Sequence, residues 1–205
     1  LDIGCSVGQF LHMGKERGYE VMGLELNEPA ARYAEENYGV KVKRKLLDEC
    51  GFADNSFDII SMWGVIEHLP KPVDVISEVY RILKPGGVYI GICPNVQSLV
   101  CMALHEKSRT FTGRLHLSYF SDKTLRYLFD KVGFSNENIK IETCYTGKDS
   151  LLNYFQFLDP FGDEEYSYLP EKFWEYLKDE KNQKYLEDKM NELGIGLKLI
   201  FTAKK

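Results

Sequence analysis

Short apolar runs alternate along the chain with longer amphipathic stretches, which is the pattern of an α/β protein. Residues 1–3 (Leu-Asp-Ile) read as the end of a buried strand, and Gly4-Cys5-Ser6-Val7-Gly8 as a glycine-bearing turn that opens a helix through Met13. A second strand is predicted over 19–25, ending in the acid Glu25. Asn27 then has the character of an N-cap for a helix over 28–37, with Pro29 in its first turn. A third strand follows at 40–44 and a loop at 45–55. The clearest strand is 57–63 (Phe-Asp-Ile-Ile-Ser-Met-Trp), entered through the turn Asp54-Asn55-Ser56. Residues 72–83 form an amphipathic helix with Val75, Ile76, Val79 and Leu83 on one face, stopped by Lys84-Pro85-Gly86-Gly87. A fifth strand is expected over 88–93, and 96–113 carries no predicted element. Ser121 caps a helix over 122–132 that Gly133 ends, and strands six and seven are predicted over 139–145 and 196–204.

The first turn carries the first chemical hint. Gly4 lets the backbone leave the strand through angles closed to other residues, and Gly8 lets it lie close to a ligand. The helix start behind it offers free N–H groups and a partial positive charge, suited to a carboxylate or phosphate. In cofactor-binding α/β folds an acid at the end of strand two accepts hydrogen bonds from a ribose diol, the role expected of Glu25. Leu26, next to it, is placed to pack on an adenine face. His68, just past strand four, is the natural proton acceptor, because a neutral imidazole titrates near physiological pH.

Composition narrows the class. At 205 residues one α/β domain is expected. The formal charge of -5 argues against a nucleic-acid or polybasic membrane surface, though it leaves room for a local basic patch. No apolar run approaches the ~20 residues of a membrane span, and no signal peptide is visible. The five cysteines (Cys5, Cys50, Cys93, Cys101, Cys144) have no C-x-x-C spacing, which fits reduced thiols in a cytoplasmic protein. Residues 148–193 are rich in aromatics and acids and helical in their second half, an addition to the basic α/β plan that is expected to serve as a substrate lid or a dimer contact.

The stretch Asp2-Ile3-Gly4-Cys5-Ser6-Val7-Gly8 resembles the first motif of class I S-adenosylmethionine (SAM) dependent methyltransferases, D/E-x-G-x-G-x-G, with Ser6 at the middle glycine. Phe57-Asp58-Ile59-Ile60 resembles the family's fourth-strand motif, Arg81-Ile82-Leu83-Lys84-Pro85-Gly86-Gly87 its helix-to-strand return, and His116-Leu117-Ser118-Tyr119-Phe120-Ser121 its small-molecule branch. The resemblance implies a Rossmann-like seven-stranded sheet with helices on both faces and the last strand antiparallel. It implies one SAM-methyltransferase domain over 1–205, lacking its N-terminal segment, with 148–193 inserted between strands six and seven. Asp2, Gly4, Cys5, Ser6, Gly8, Glu25, Leu26, Leu47, Asp48, Trp63 and Gly64 are then the cofactor residues, with Leu46 at the position where the family usually carries an adenine-binding Asp. His68, Glu67 and His116 are the catalytic candidates, acting on a small-molecule acceptor, with a hydroxyl oxygen preferred. Some members hold a divalent metal through E-x-x-E-H and a later His. Here Gly64 takes the first Glu position, so a metal-free site is expected. Two rival readings share these residues: a catalytically degenerate SAM-binding domain working through its insertion, and an NAD-dependent oxidoreductase, which G-x-G-x-x-G spacing would have marked and which is absent.

Overall fold

The computed structural model describes residues 1–108, 110–111, 113–145, 156–158, 165–167 and 171–205. The strands β1 (Asp2–Ile3), β2 (Met22–Leu24), β3 (Lys41–Lys43), β4 (Phe57–Trp63), β5 (Leu83–Pro94), β6 (Ile139–Cys144) and β9 (Lys198–Lys204) make one sheet, in the order β3-β2-β1-β4-β5-β9-β6. All neighbours are parallel except β9, which runs antiparallel between β5 and β6. The fold is the seven-stranded, Rossmann-like sheet expected, with its last strand reversed.

The helices are α1 (Gln9–Glu16), α2 (Glu28–Tyr38), α3 (Pro72–Ile82), α4 (Leu99–Leu104), α5 (Asp122–Val132), α6 (Glu171–Leu177) and α7 (Glu180–Glu192). Their ends follow the chemistry read from the sequence. Asn27 Oδ1 accepts from the Ala30 N–H at 3.0 Å, and Ser121 and Thr124 form a reciprocal capping box that starts α5. Gly133, at φ +116°, ends it.

Strand alternation separates two cores. On β2, Gly23 faces the cluster Cys5, Leu11, Ala31, Ala34, Val40 and Val42, under α1 and α2. Leu24, next along, faces the larger cluster that holds Ile76, Val79 and Ile82 of α3 and Leu125, Leu128 and Phe129 of α5. The strand order changes direction between the parallel neighbours β1 and β4. Their carboxyl ends therefore open the crevice in which doubly wound sheets bind ligands.

Three sequence expectations are corrected. The breaker cluster Lys84-Pro85-Gly86-Gly87 lies inside β5, which pairs Phe57 with Leu83 and then shifts register to pair Ile59 with Val88. The segment absorbs the four residues as an irregularity because Gly86 takes φ +80° and a Cβ on Gly87 would lie 2.9 Å from the Lys84 carbonyl oxygen. Within 96–113, which carried no predicted element, Ser98 caps the short helix α4, its Oγ accepting from the Cys101 N–H at 3.2 Å. The helical half of the 148–193 segment is two helices, broken where the Asp179 side chain accepts the Lys181 N–H to begin α7.

Of that segment's first half, only β7 (Gln156–Leu158) and β8 (Glu165–Ser167), an antiparallel pair, fall within the described residues, so its remaining aromatics (Tyr154, Phe155, Phe161, Tyr168) lie outside them. Helices α6 and α7 bury Leu177 and Met190 against Val100, Leu104 and Leu197, forming a third cluster over the β5–α4 end of the sheet. No helix among the described residues is long and apolar enough to cross a membrane.

Candidate active site

The turn after β1 is held from below and braced from the side. The N–H groups of Gly4 and Cys5 both donate to the Leu24 carbonyl, at 2.8 and 3.0 Å, so the chain must turn sharply as it leaves the strand. Gly4 (φ +71°) and Gly8 (φ +78°) take left-handed angles, and the space beside each is already filled. A Cβ on Gly4 would meet Val65 Cγ2 at 2.6 Å, and one on Gly8 would meet Ala34 Cβ at 2.6 Å. Ser6, where the family motif has glycine, also adopts a positive φ of 49°. Its N–H donates to Glu25 Oε2 at 2.8 Å, while Glu25 Oε1 accepts the Asn27 N–H at 2.8 Å. Each Glu25 oxygen keeps a further lone pair for a ligand hydroxyl.

Asp2 sits beneath this turn and is buried, its Oδ1 accepting the Ser61 hydroxyl hydrogen bond at 2.7 Å. Burial raises its pKa to about 6, with the Ser61 hydrogen bond opposing the rise and Glu25 adding to it. The Cys5 side chain packs in the α1–α2 core, and burial pushes its thiol up to about 12, so Cys5 contributes to the turn through its backbone.

After the Glu25 carboxylate and on the loop past β3, Leu26 and Leu46 stand 61% and 53% exposed. Leu47 is buried in the main core. Asp48 opens a 3-10 turn (Asp48–Cys50) and is exposed, and it is Glu49 Oε2 that takes the Leu46 N–H, at 2.9 Å. At the end of β4, Trp63 meets Phe10 of α1 edge-on with 5.0 Å between centroids. Its buried indole N–H has no acceptor among the described residues. Gly64 takes φ +66°, a backbone angle that favours glycine over the acid a metal-binding motif would need there.

The catalytic candidates converge. Glu67 and His68 lie in the 3-10 turn Ile66–His68, and His116 lies on the segment that crosses it. The Leu117 and Ser118 N–H groups donate to the Glu67 carbonyl at 2.8 and 3.0 Å, tying the two together. His68 Nδ1 lies 2.5 Å from the Leu115 carbonyl and His116 Nδ1 2.8 Å from that of Thr110. A carbonyl only accepts, so both neutral rings carry their proton on Nδ1 and the lone pair on Nε2. The two rings are 5.0 Å apart. Glu67 is buried, with Oε1 4.0 Å from His68 Nε2 and Oε2 without a hydrogen-bond partner among the described residues. Burial raises its pKa, and a backbone hydrogen bond and the Lys198 ammonium counter the rise. One ligand atom from each of Glu67, His68 and His116 lies within 4.8 Å of the others, a carboxylate and two imidazoles able to hold a cation.

Several participants were not legible as site residues. Ser61 signalled itself only as a lone hydroxyl in an apolar strand. Phe10, Glu49 and Lys198 carried no signal, since each depends on contacts distant in sequence. The carbonyls of Leu115 and Thr110, which set the histidine tautomers, have no side-chain signature at all.

Comparison with known proteins agrees with this geometry. Residues 1–91 match the family model described as a methyltransferase domain. The chain is 36% identical over 97 residues to a sterol 24-C-methyltransferase of Pneumocystis carinii, covering 43% of this chain and 26% of that protein. It is 32% identical over 93 residues to a ubiquinone biosynthesis O-methyltransferase of Hahella chejuensis, covering 42% of this chain and 39% of that protein. The chain thus spans well under half the length of these curated relatives. A SAM-dependent methyltransferase structure from Archaeoglobus fulgidus superimposes over 100% of this chain and 84% of its own, with a TM-score of 0.65 at 22% identity. Residues 1–91 are thus similar to a methyltransferase domain, and the seven-stranded sheet has the fold of solved SAM-dependent methyltransferases.

Proposed function

We propose that this protein transfers a methyl group from SAM to a hydroxyl oxygen of a small-molecule acceptor. The observation that carries the reading is the fit of Gly4 against Val65, which brings the Glu25-braced turn to within two residues of Glu67. The residues present suit the cofactor. Glu25 offers lone pairs to a ribose diol, Leu26 and Leu46 offer apolar cover to a base, and the glycines leave no side chain between backbone and ligand. SAM, when bound, supplies a methyl group on a positive sulfur. The chain then has to orient the acceptor, which is worth ~7–11 kcal/mol in well-aligned cases, and to accept its proton.

His68 Nε2 is the assigned proton acceptor, and Glu67, 4.0 Å away, stabilises the imidazolium that results. Such a base contributes about 10²–10⁴ in rate. The named relatives methylate at oxygen in ubiquinone biosynthesis and at carbon in a sterol. A base with its lone pair fixed on Nε2 supports oxygen, whose proton must leave. The packing of α6 and α7 onto α4 and onto Leu197, just before β9, supports a lid, since it uses the inserted helices' apolar face within the chain. A panel of hydroxyl, amine and carbon acceptors tests the reading. Methylation of hydroxyl compounds that falls at least 100-fold in His68→Ala is expected, and undiminished turnover in that variant would remove the base.

A second reading has one observation in its favour, the three donors within 4.8 Å with Glu67 Oε2 unsatisfied among the described residues. In it Glu67, His68 and His116 would hold a divalent cation that acidifies the acceptor hydroxyl. The carbonyls of Leu115 and Thr110 fit that role, as partners of the opposite ring nitrogens. Titration with zinc and magnesium after chelation separates the two. Stoichiometric binding lost in His116→Ala supports the cation, and absence of binding leaves the metal-free base.

A further inference from the structure

Two hydrogen-bond acceptors face each other at the centre of the site. His68 donates through Nδ1 to the Leu115 carbonyl, so its Nε2 offers a lone pair. Glu67 Oε1 lies 4.0 Å from that nitrogen, beyond hydrogen-bond reach, and an ionised carboxylate only accepts. Among the described residues no side chain donates to this carboxylate, and Oε2 is buried without a partner. Gly64 keeps the space beside it open. A Cβ there would lie 3.6 Å from Glu67 Oε1 and, its chain neighbours aside, within 4 Å of no other atom of the described residues.

Counting protons turns this into a statement about the acceptor. A molecule with a single hydroxyl brings one proton, and the proposed reaction gives that proton to His68. Glu67 Oε1 would then meet no donor from the ligand, in a residue only 4% exposed. Leaving a buried carboxylate short of donors is costly, and a site built that way selects strongly for a ligand that brings the missing hydrogen. Acceptor atoms 4.0 Å apart suit two hydroxyls on neighbouring carbons, each reaching its own partner.

We infer that the acceptor carries hydroxyls on two adjacent carbons, one set on His68 Nε2 and the other donating to Glu67 Oε1. The reacting hydroxyl oxygen forms a C–O bond to the methyl group as the C–S bond of the donor breaks, the electron pair staying on sulfur, and its proton passes to Nε2. The second hydroxyl is unchanged, and Glu67 is the specificity-determining residue. The product is a monoether. It no longer has two hydroxyls to offer, so the reaction stops after one methyl group. The inference rests on the hydroxyl reading proposed above and narrows it to a substrate class.

Calorimetric titration of the whole chain with simple diols, in excess S-adenosylhomocysteine and with and without EDTA, tests it. The probes are 1,2-dihydroxybenzene against 1,3-dihydroxybenzene and phenol, and cis-1,2-cyclohexanediol against cyclohexanol. At least one 1,2-diol is expected to bind about tenfold or more tighter than its comparison compounds, and which one does so tells an aromatic from an aliphatic acceptor. In Glu67→Leu the preference should fall to within about threefold of none, with affinity for S-adenosylhomocysteine retained as the sign of a folded chain. Should that variant fail to fold, Glu67→Gln, which keeps the shape and loses the charge, should reduce the preference at least about threefold. Failure of both diols to bind, equal affinity for diol and single alcohol, or a preference undiminished in the Glu67 variants overturns the inference. So does a preference that EDTA abolishes, because a cation would then be what recognises the diol. Binding of the homocysteine compound without a diol preference sinks this inference alone, whereas absence of that binding sinks the methyltransferase reading whatever the diols do.

Discussion

The Ser61 hydroxyl donates to Asp2 Oδ1 at 2.7 Å, joining the carboxyl ends of β1 and β4 beneath the glycine turn. The bond places a carboxyl group in an almost fully buried position, where burial raises its pKa to about 6 from a reference value of 3.8. A raised folded-state pKa means that the native state holds the proton more tightly than the unfolded chain. Asp2 therefore favours folding most below about pH 4, and that advantage is lost as pH rises through about 6. Asp2→Asn removes the titration. Between pH 4 and pH 7 the variant should gain on the wild type by roughly 2–3 kcal/mol, an upper figure taken from the full shift. Denaturant melts at the two pH values measure it, and a constant difference would contradict the assignment.

Ser6 holds a left-handed backbone angle at the position where the family motif has glycine. Left-handed conformation costs a residue with a Cβ roughly 1–2 kcal/mol, offset for a glycine replacement by the greater freedom it gives the unfolded chain. Ser6→Gly should thus range from neutral to about 1 kcal/mol stabilising. Ser6→Val should destabilise by more than about 1 kcal/mol, because a β-branched residue tolerates that angle worst. Thermal melts of the pair decide whether the angle is genuine strain.

In the proposed function His68 and Glu67 divide the proton chemistry. Glu67→Gln should lower kcat by about tenfold to 100-fold and leave KM for SAM near its original value, since the carboxylate faces the imidazole and not the turn. A rise in KM for SAM with kcat intact would place Glu67 in cofactor binding instead.

Lys205 performs a structural task. Its Nζ donates to the carbonyls of Tyr80 and Leu83, each at 2.8 Å, and to Asn55 Oδ1 at 2.9 Å, supplying a positive charge and donors at the end of α3. Lys205→Met, which keeps the apolar stem, should cost about 1–2 kcal/mol. An unchanged melting temperature would show those bonds to be worth nothing in solution.

The sequence was most legible where one residue carries its own constraint. Asn27, Ser121 and Gly133 mark helix ends through local hydrogen bonds and a positive φ, and the structure puts them there. The strand of residues 57–63 was readable because its apolar run has no helical period. The Pro85-Gly86-Gly87 run misled, since breakers signal irregular backbone without saying whether it is a turn or a strand irregularity. Within the site, Glu25 and His68 could be found from their place after a strand. Ser61, Phe10 and Glu49 could not, because their roles exist only once distant strands and helices are assembled. The tautomers of His68 and His116 depend on backbone carbonyls, which every residue has.

The central claim is that the Glu25-braced turn binds SAM. Calorimetric titration with S-adenosylhomocysteine, with NAD in parallel, tests it most directly. The account predicts micromolar binding of the homocysteine compound alone, weakened at least tenfold in Glu25→Ala, which loses both the diol acceptor and the brace on the Ser6 N–H. Binding of NAD instead, or equal affinity of the wild type and Glu25→Ala for the homocysteine compound, would contradict it.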